Sequence, residues 1–413
     1  MSSITIGKPY ICVGIDSSRV RLCADIKYDQ SVRVLYYEVD CEYEKFLNVE
    51  TADCFVLGLL HSCMNEKLNI DCEVPVTEQL LFQLRNFYIP VISQNMPDLF
   101  PIELNAVGVP PLDPIGSAVA TGNSGGVDSF YTIVRYLNEN EEYKLTHLLF
   151  NNISTEDDDE KRIRAWFEKE KNEKRQIAKE LGLQSIFLYS NLFSFYQSHF
   201  IYNYYYAAQY ISAPYALVKL IGKYYYSSSY SFSDFTINHK KMTDGSNFDL
   251  LALDCFSTRN LKIYSAGSET GRIEKTIAIS NNNVANRHLQ VCAVEQNKQY
   301  MDNLVKVEKL NCGKCRKCVR TVTTLYSIGQ LNRFEDVFDL SLFYNNKDKY
   351  IAKELASDLY EFSDELTAYL QSNKKYSFKI KLWRAVFKMR YVMARSRFLV
   401  RLYHSIIGKG KKK

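Results

Sequence analysis

Two short stretches hold most of the chemistry this sequence could do. The first is Ser124-Gly-Gly-Val-Asp-Ser129. It follows Gly116-Ser-Ala-Val-Ala-Thr-Gly122, whose small and β-branched residues suit a buried strand. It runs into Phe130, Ile133, Val134 and Leu137 at helical spacing. A glycine turn between a strand and a helix leaves backbone N–H groups facing one concavity, and the helix N-terminus adds a partial positive charge, so an anion is the expected guest. Ser124 and Ser129 can add hydroxyl donors, and Asp128 can hold a magnesium ion that neutralises phosphate charge. No Gly-Lys-Ser/Thr follows at the spacing of a Walker A loop, and the glycines do not fall as G-x-G-x-x-G.

The second stretch is Cys312-Gly-Lys-Cys-Arg-Lys-Cys318, with Cys292 upstream. Three thiolates at this spacing wrap one ion, Gly313 permits the tight bend, and a fourth cysteine closes a tetrahedral site. Lys314, Arg316, Lys317 and Arg320 offset the charge of four thiolates. Zinc is the first expectation, and an iron–sulfur cluster the competitor. Six further cysteines, Cys12, Cys23, Cys41, Cys54, Cys63 and Cys72, are scattered without metal-ligand spacing and read as small apolar fillers.

Strands alternating with helices must carry the glycine turn. Lys144–Phe150, Ser185–Tyr189 and Tyr224–Phe232 read as strands, separated by a charged amphipathic helix over Glu160–Leu181 and an apolar helix over Tyr202–Leu220. This order predicts an α/β fold with a doubly wound, mostly parallel sheet. Ligands in such sheets bind at the carboxyl ends of strands, which puts Phe150, Asn151 and Asn152 near the turn. In Gly267-Ser-Glu-Thr-Gly-Arg-Ile-Glu-Lys-Thr276, Arg272 and Lys275 could reach phosphate oxygens, or could be surface charges of an ordinary capped helix.

Ser124-Gly-Gly-Val-Asp-Ser129 resembles the SGGxDS signature of the PP-loop ATP pyrophosphatases, the adenine-nucleotide α-hydrolase-like (HUP-type) superfamily. The resemblance implies that Ser124, Gly125, Gly126, Val127, Asp128 and Ser129 grip the pyrophosphate of ATP while a substrate group is adenylated. It also implies that adenine is held by backbone groups at the second strand end. Arg272-Ile-Glu274 resembles a basic-x-Glu segment found after the fourth strand in 7-cyano-7-deazaguanine synthase and its relatives. Those proteins also carry CGxCxxC plus an upstream cysteine, with structural zinc, after the PP-loop domain. The resemblance spans residues 116 to 325. This chain departs from it in a more distant upstream cysteine, an extra N-terminal module and a tail, so the substrate does not carry over.

From these residues the expected activity is that of an ATP-dependent ligase or amidating-type enzyme, releasing pyrophosphate and adenylating an unidentified small-molecule acceptor. Asp128, Ser129, Arg272 and Lys275 are the expected catalytic set, and Cys292, Cys312, Cys315 and Cys318 the metal set. Two other readings stay open: a tRNA-modifying enzyme with the same ATP chemistry, and a nucleotide-binding scaffold without catalysis.

A length of 413 residues suggests two or three domains. The expected divisions are an N-terminal α+β module over 1–112, an ATP-binding domain with its four-cysteine clip over 113–333, and a helical region over 334–413. Val109-Pro-Pro-Leu-Asp-Pro114 is the expected linker. The net charge of +5 hides an asymmetry: from Leu366 to Lys413 there are 14 Lys and Arg and no Asp or Glu, while the remainder carries 38 basic and 47 acidic residues. Such a tail can dock on the acidic body, lie on an anionic membrane or contact RNA phosphates. Met1-Ser-Ser-Ile-Thr-Ile lacks a signal-peptide pattern and no window reads as a membrane span, so the expected location is cytoplasmic, with peripheral membrane contact through the tail left open. An odd count of 11 cysteines argues for thiols or metal ligands over a disulfide framework.

Overall fold

The computed structural model describes residues 2–153, 159–196, 206–242, 244–292, 309–356 and 362–395. Two compact units divide between Gly271 and Arg272.

The first unit opens with β1 (Ser3–Ile6), β2 (Tyr10–Val13), β3 (Arg19–Tyr28) and β4 (Ser31–Asp40), followed by α1 (Asp53–Glu66), β5 (Asn69–Cys72), β6 (Val76–Thr77), α2 (Glu78–Gln83), α3 (Ile89–Asn95), β7 (Leu104–Asn105) and β8 (Gly108–Val109). Strands and helices then alternate: β9 (Ala118–Gly122), α4 (Val127–Tyr136), β10 (His147–Asn151), α5 (Glu160–Leu181), β11 (Gln184–Ser190), α6 (Tyr206–Ala216), β12 (Ile221–Ser227), α7 (Asp249–Phe256) and β13 (Lys262–Ala266). The expected helix over Glu160–Leu181 forms with those bounds. Asp159 caps it by accepting from the N–H groups of Lys161 and Arg162, and Gly182 ends it in the left-handed region at φ 68°.

Most of these strands form one sheet in the order β13-β12-β9-β10-β11-β4-β3-β1-β5-β7, with β2 added on β3. From β13 to β11 every pairing is parallel. The chain leaves β9 for β10 and β11 on one side, then crosses back to place β12 and β13 on the other. The strand order therefore reverses between β9 and β12, a topological switch point compatible with a doubly wound sheet. The sheet is α/β and mostly parallel, as the strand–helix alternation predicted.

The boundary expected near residue 112 falls inside this unit. Tyr37 and Glu38 of β4 pair antiparallel with Ser190 and Tyr189 of β11, so the N-terminal strands extend the same sheet. A buried ion network fastens that join: the Glu38 carboxylate meets Arg21 at 2.7 Å, Arg164 of α5 at 2.5 Å and Arg19 at 3.5 Å. Burial opposes the Glu38 charge, but the guanidiniums of Arg164 and Arg21 outweigh it and hold the carboxyl below its usual range.

The second unit contains α8 (Arg272–Ser280), α9 (Asn283–His288), α10 (Arg316–Ser327), α11 (Leu340–Ala356), α12 (Phe362–Ser372) and α13 (Phe378–Arg395). Its core joins Ile273, Ile351, Leu355, Leu366, Leu370 and Ile380. The described part of the basic tail docks here. On α13, Ile380 is buried and Trp383 and Phe387 are partly buried against that core, while Phe378, Leu382 and Met389 face outward. Residues 396–413 of the tail, and most of the acidic run Thr155–Glu160, lie outside the described residues. Among the described residues no helix is long and apolar enough to cross a membrane.

Candidate functional site

β9 is buried along Ala118–Thr121 and delivers Gly122 to the carboxyl edge of the sheet, beside the switch point. The chain then turns. Gly125 takes φ 78°, which only glycine adopts without strain. The Gly126 N–H donates to Ser124 Oγ at 3.2 Å. Gly126 caps α4, and Phe130 is the first residue to bond within the helix, donating to Gly126 O at 2.9 Å. The first-turn amides before it have no acceptor within the helix, as at any helix start. Ser124 is exposed there and Asp128 is half-buried.

Ser129 behaves differently from the expectation. It is buried, and its hydroxyl donates to Gly122 O at 2.7 Å. That hydroxyl ties the turn's exit to its entrance, leaving the backbone as Ser129's contribution to an anion site. The second strand end is also more structural than expected. Phe150 is buried and stacks on Phe167 with centroids 5.2 Å apart. Asn152 is buried and exchanges bonds with Ser190, donating to its carbonyl at 2.8 Å and accepting from its N–H at 2.7 Å. Asn151 Oδ1 accepts from the Ile153 N–H at 3.1 Å.

One residue that sequence reasoning missed supports the turn from behind. Lys174 of α5 is 1% exposed, and its Nζ donates to Ser124 O at 3.1 Å and meets Glu170 at 3.4 Å. Its backbone carbonyl accepts from Asn123 Nδ2 at 3.1 Å. Two consecutive turn residues are thus held by one helical residue. Burial pushes the Lys174 ammonium below the usual lysine range, with Glu170 opposing. A signal was present: Glu170 and Lys174 fall in phase with Ile163, Phe167 and Ile177 on the buried stripe of α5, where charged residues have no packing reason to be.

Beyond β12, Asp249 is 2% exposed and neither carboxylate oxygen has a hydrogen-bond partner among the described residues. Burial, and then the Asp244 charge, push its carboxyl well above the usual carboxylate range. A cavity of about 790 Å³ beside the start of α5 is walled by Arg21, Lys161, Arg162, Arg164, Asp159 and Glu160. Its charges largely answer one another, through Arg162–Asp159 and through Glu38.

Arg272 and Lys275 stand on α8 in the second unit, while the turn belongs to the first. Lys275 is 1% exposed there.

The four cysteines expected to meet do so, all within the second unit. The sulfurs of Cys292, Cys312, Cys315 and Cys318 lie within 4.8 Å of one another. Cys318 is 3.4 Å from Cys315 and 3.8 Å from Cys312. Four thiolates bound to one tetrahedral zinc at ~2.3 Å stand roughly 3.8 Å apart, so the donor set fits a single ion. Gly313 takes φ 66°, and the Cys315 N–H donates to Cys312 Sγ at 3.3 Å, folding the C-x2-C step around its centre. Cys315 caps α10 and puts Cys318 in its first turn. Hydrogen bonding to Cys292 pushes the Cys312 thiol down.

Asn311, also missed from sequence, closes this site across its 19-residue gap. It is 2% exposed. Its Oδ1 accepts from Val291 N–H at 2.8 Å and Cys292 N–H at 3.1 Å, and its Nδ2 donates to Leu289 O at 2.7 Å and Val337 O at 3.1 Å.

No protein-family model, curated protein or solved structure matches the chain.

Proposed function

We propose that this protein is an ATP-dependent enzyme of the PP-loop type, which adenylates a small-molecule substrate and releases pyrophosphate. The observation that carries this reading is the coincidence of the Ser124–Ser129 turn with the β9/β12 switch point, at the N-terminus of α4. A doubly wound sheet offers its ligand crevice there, and the turn presents amides to an anion. Gly125, Gly126 and the first turn of α4 would bind the pyrophosphate portion of ATP. Preorganised donors aimed at the leaving phosphates stabilise charge as it develops there. Asp128, half-buried at the helix start, would carry the magnesium ion that neutralises phosphate charge. Ser129 and Lys174 keep the turn in shape rather than touching substrate.

The Cys292, Cys312, Cys315 and Cys318 set fits zinc as a structural clip of the second unit. Sulfurs packed within 4.8 Å favour one ion over a multi-iron cluster. When bound, the ion supplies crosslinking rather than reaction chemistry.

The test is pyrophosphate release from ATP, screened with the full chain against a metabolite panel. Asp128→Ala should abolish turnover in the condition that supports it. Undiminished release by that variant would sink the reading, and nucleotide binding without release under any condition would favour a scaffold.

A further inference from the structure

We infer that Cys12 and Cys23 form a redox-active dithiol, a modification site that closes to a disulfide when the chain meets a low-molecular-weight disulfide oxidant. The inference stands apart from the ATP reading, because it rests on strands far along the chain from the glycine turn.

Eleven residues separate the two cysteines, and nothing in that spacing brings them together. The ladder does. β2 runs antiparallel to β3, with Tyr10 opposite Cys23 and Cys12 opposite Arg21. Side chains two residues apart share a face. Cys12 and Cys23 therefore project to the same side as diagonal neighbours, and their sulfurs stand 3.1 Å apart. That is inside ordinary sulfur–sulfur contact, and closure to a bond of ~2.05 Å asks for a movement of about 1 Å. Among the described residues of this unit no other two thiols are in hydrogen-bond contact: Cys54 and Cys63 are buried on α1, Cys72 and Cys255 stand on other elements, and Cys41 is exposed with its thiol against Ser17 O.

Exposure assigns the roles. Cys12 is half-buried on the outer strand, and Cys23 is 1% exposed inside the cluster of Tyr36, Phe150, Phe167 and Tyr189. Cys12 meets the oxidant first. Its sulfur attacks one sulfur of oxidised glutathione, the glutathione S–S bond breaks, and one glutathione leaves as thiol with the Cys12 proton. Cys23 then attacks the Cys12 sulfur of the mixed disulfide, and the second glutathione leaves with the Cys23 proton. Two protein thiols are oxidised and one glutathione disulfide is reduced to two thiols. Burial, followed by the hydrogen bond with Cys12, pushes the Cys23 thiol up, so its attack relies on the 3.1 Å approach to the Cys12 sulfur rather than on a standing thiolate. The product staples β2, which pairs only with β3 among the described residues.

The experiment treats the intact protein with oxidised glutathione, blocks remaining thiols by alkylation and maps tryptic peptides without reduction. The expected species joins the peptide ending at Arg19 to Leu22–Lys27, and dithiothreitol splits it. In Cys23→Ala, Cys12 should stop at the glutathione adduct, and in Cys12→Ser, Cys23 should remain unmodified. Backbone hydrogen exchange over Tyr10–Val13 should slow in the oxidised wild type. Recovery of Cys12 and Cys23 as separately alkylated or separately glutathionylated residues, while Cys41 or the four metal-site cysteines react, would overturn the inference. The wild-type map decides the matter even if a variant fails to fold.

Discussion

Asn311 Oδ1 accepts the backbone N–H of Cys292 at 3.1 Å, so the residue directly before the Cys312 knuckle also holds the most distant of the four clustered cysteines. The same amide bonds Leu289, Val291 and Val337, leaving none of its polar atoms without a partner. Asn311→Ala strands buried backbone groups, which costs about 1–3 kcal/mol. Loosening one ligand should also weaken zinc binding by roughly 10–100-fold. Competition with a chromogenic chelator and thermal melting measure both, with Cys315→Ser as the variant expected to lose the ion altogether. An Asn311→Ala protein with unchanged zinc affinity would remove Asn311 from the site.

Lys174→Met keeps the side-chain length and removes the donor to Ser124 O. It also leaves Glu170 buried without its ammonium, a loss of about 3–5 kcal/mol for a broken buried pair. Glu170→Gln combined with Lys174→Met should recover much of that stability. Turnover should not return, because a turn displaced by about 1 Å costs on the order of 10²-fold. Restored pyrophosphate release in the double variant would mean that Lys174 acts through folding alone.

Gly125→Ala tests the turn itself. A Cβ at φ 78° costs about 1–2 kcal/mol in the left-handed region. The chain can escape that cost by re-aiming the amides on either side. Nucleotide affinity measured by calorimetry should therefore fall more than the thermal midpoint suggests. Equal affinity for ATP in variant and wild type would separate the turn from the nucleotide.

A pH dependence is expected from Glu365, whose carboxyl is raised to about 7 by burial, by a shared hydrogen bond with Glu274 and by that residue's charge. The folded state then binds a proton more tightly than the unfolded state, whose value is the ordinary 4.5. Stability from this pair is fully present below about 4.5 and is lost as pH rises through about 7. Denaturant midpoints at pH 5 and pH 8 (~ three units apart) should differ less in Glu365→Gln than in the wild type. An identical slope in the two proteins would rule the pair out as its source.

Much of the candidate site was legible because it is contiguous. The glycine turn lies between a buried strand and an amphipathic helix, and the CGxCxxC knuckle fits within seven residues, so local spacing was enough to name both. Ser129 was legible as a residue but not as a role. Whether a hydroxyl faces a ligand or caps its own turn depends on a rotamer that spacing does not encode. The N-terminal strands read as a separate module because the proline run at Val109–Pro114 looks like a linker, whereas β4 finds its partner in β11, some 150 residues along the chain.

By itself the sequence determined the strand–turn–helix corner at Ser124, the thiolate set around Cys315, the strand–helix alternation and the basic tail. Each follows from periodicity, glycine torsions or ligand spacing over a few consecutive residues. Only the tertiary structure decided the strand order that sets the turn at a switch point, the Lys174 ammonium behind Ser124, the Asn311 clamp on Cys292 and the meeting of Cys12 with Cys23. These depend on which strands pair and which helix face is buried. That choice is made by the burial of the whole core, which no short window of residues contains.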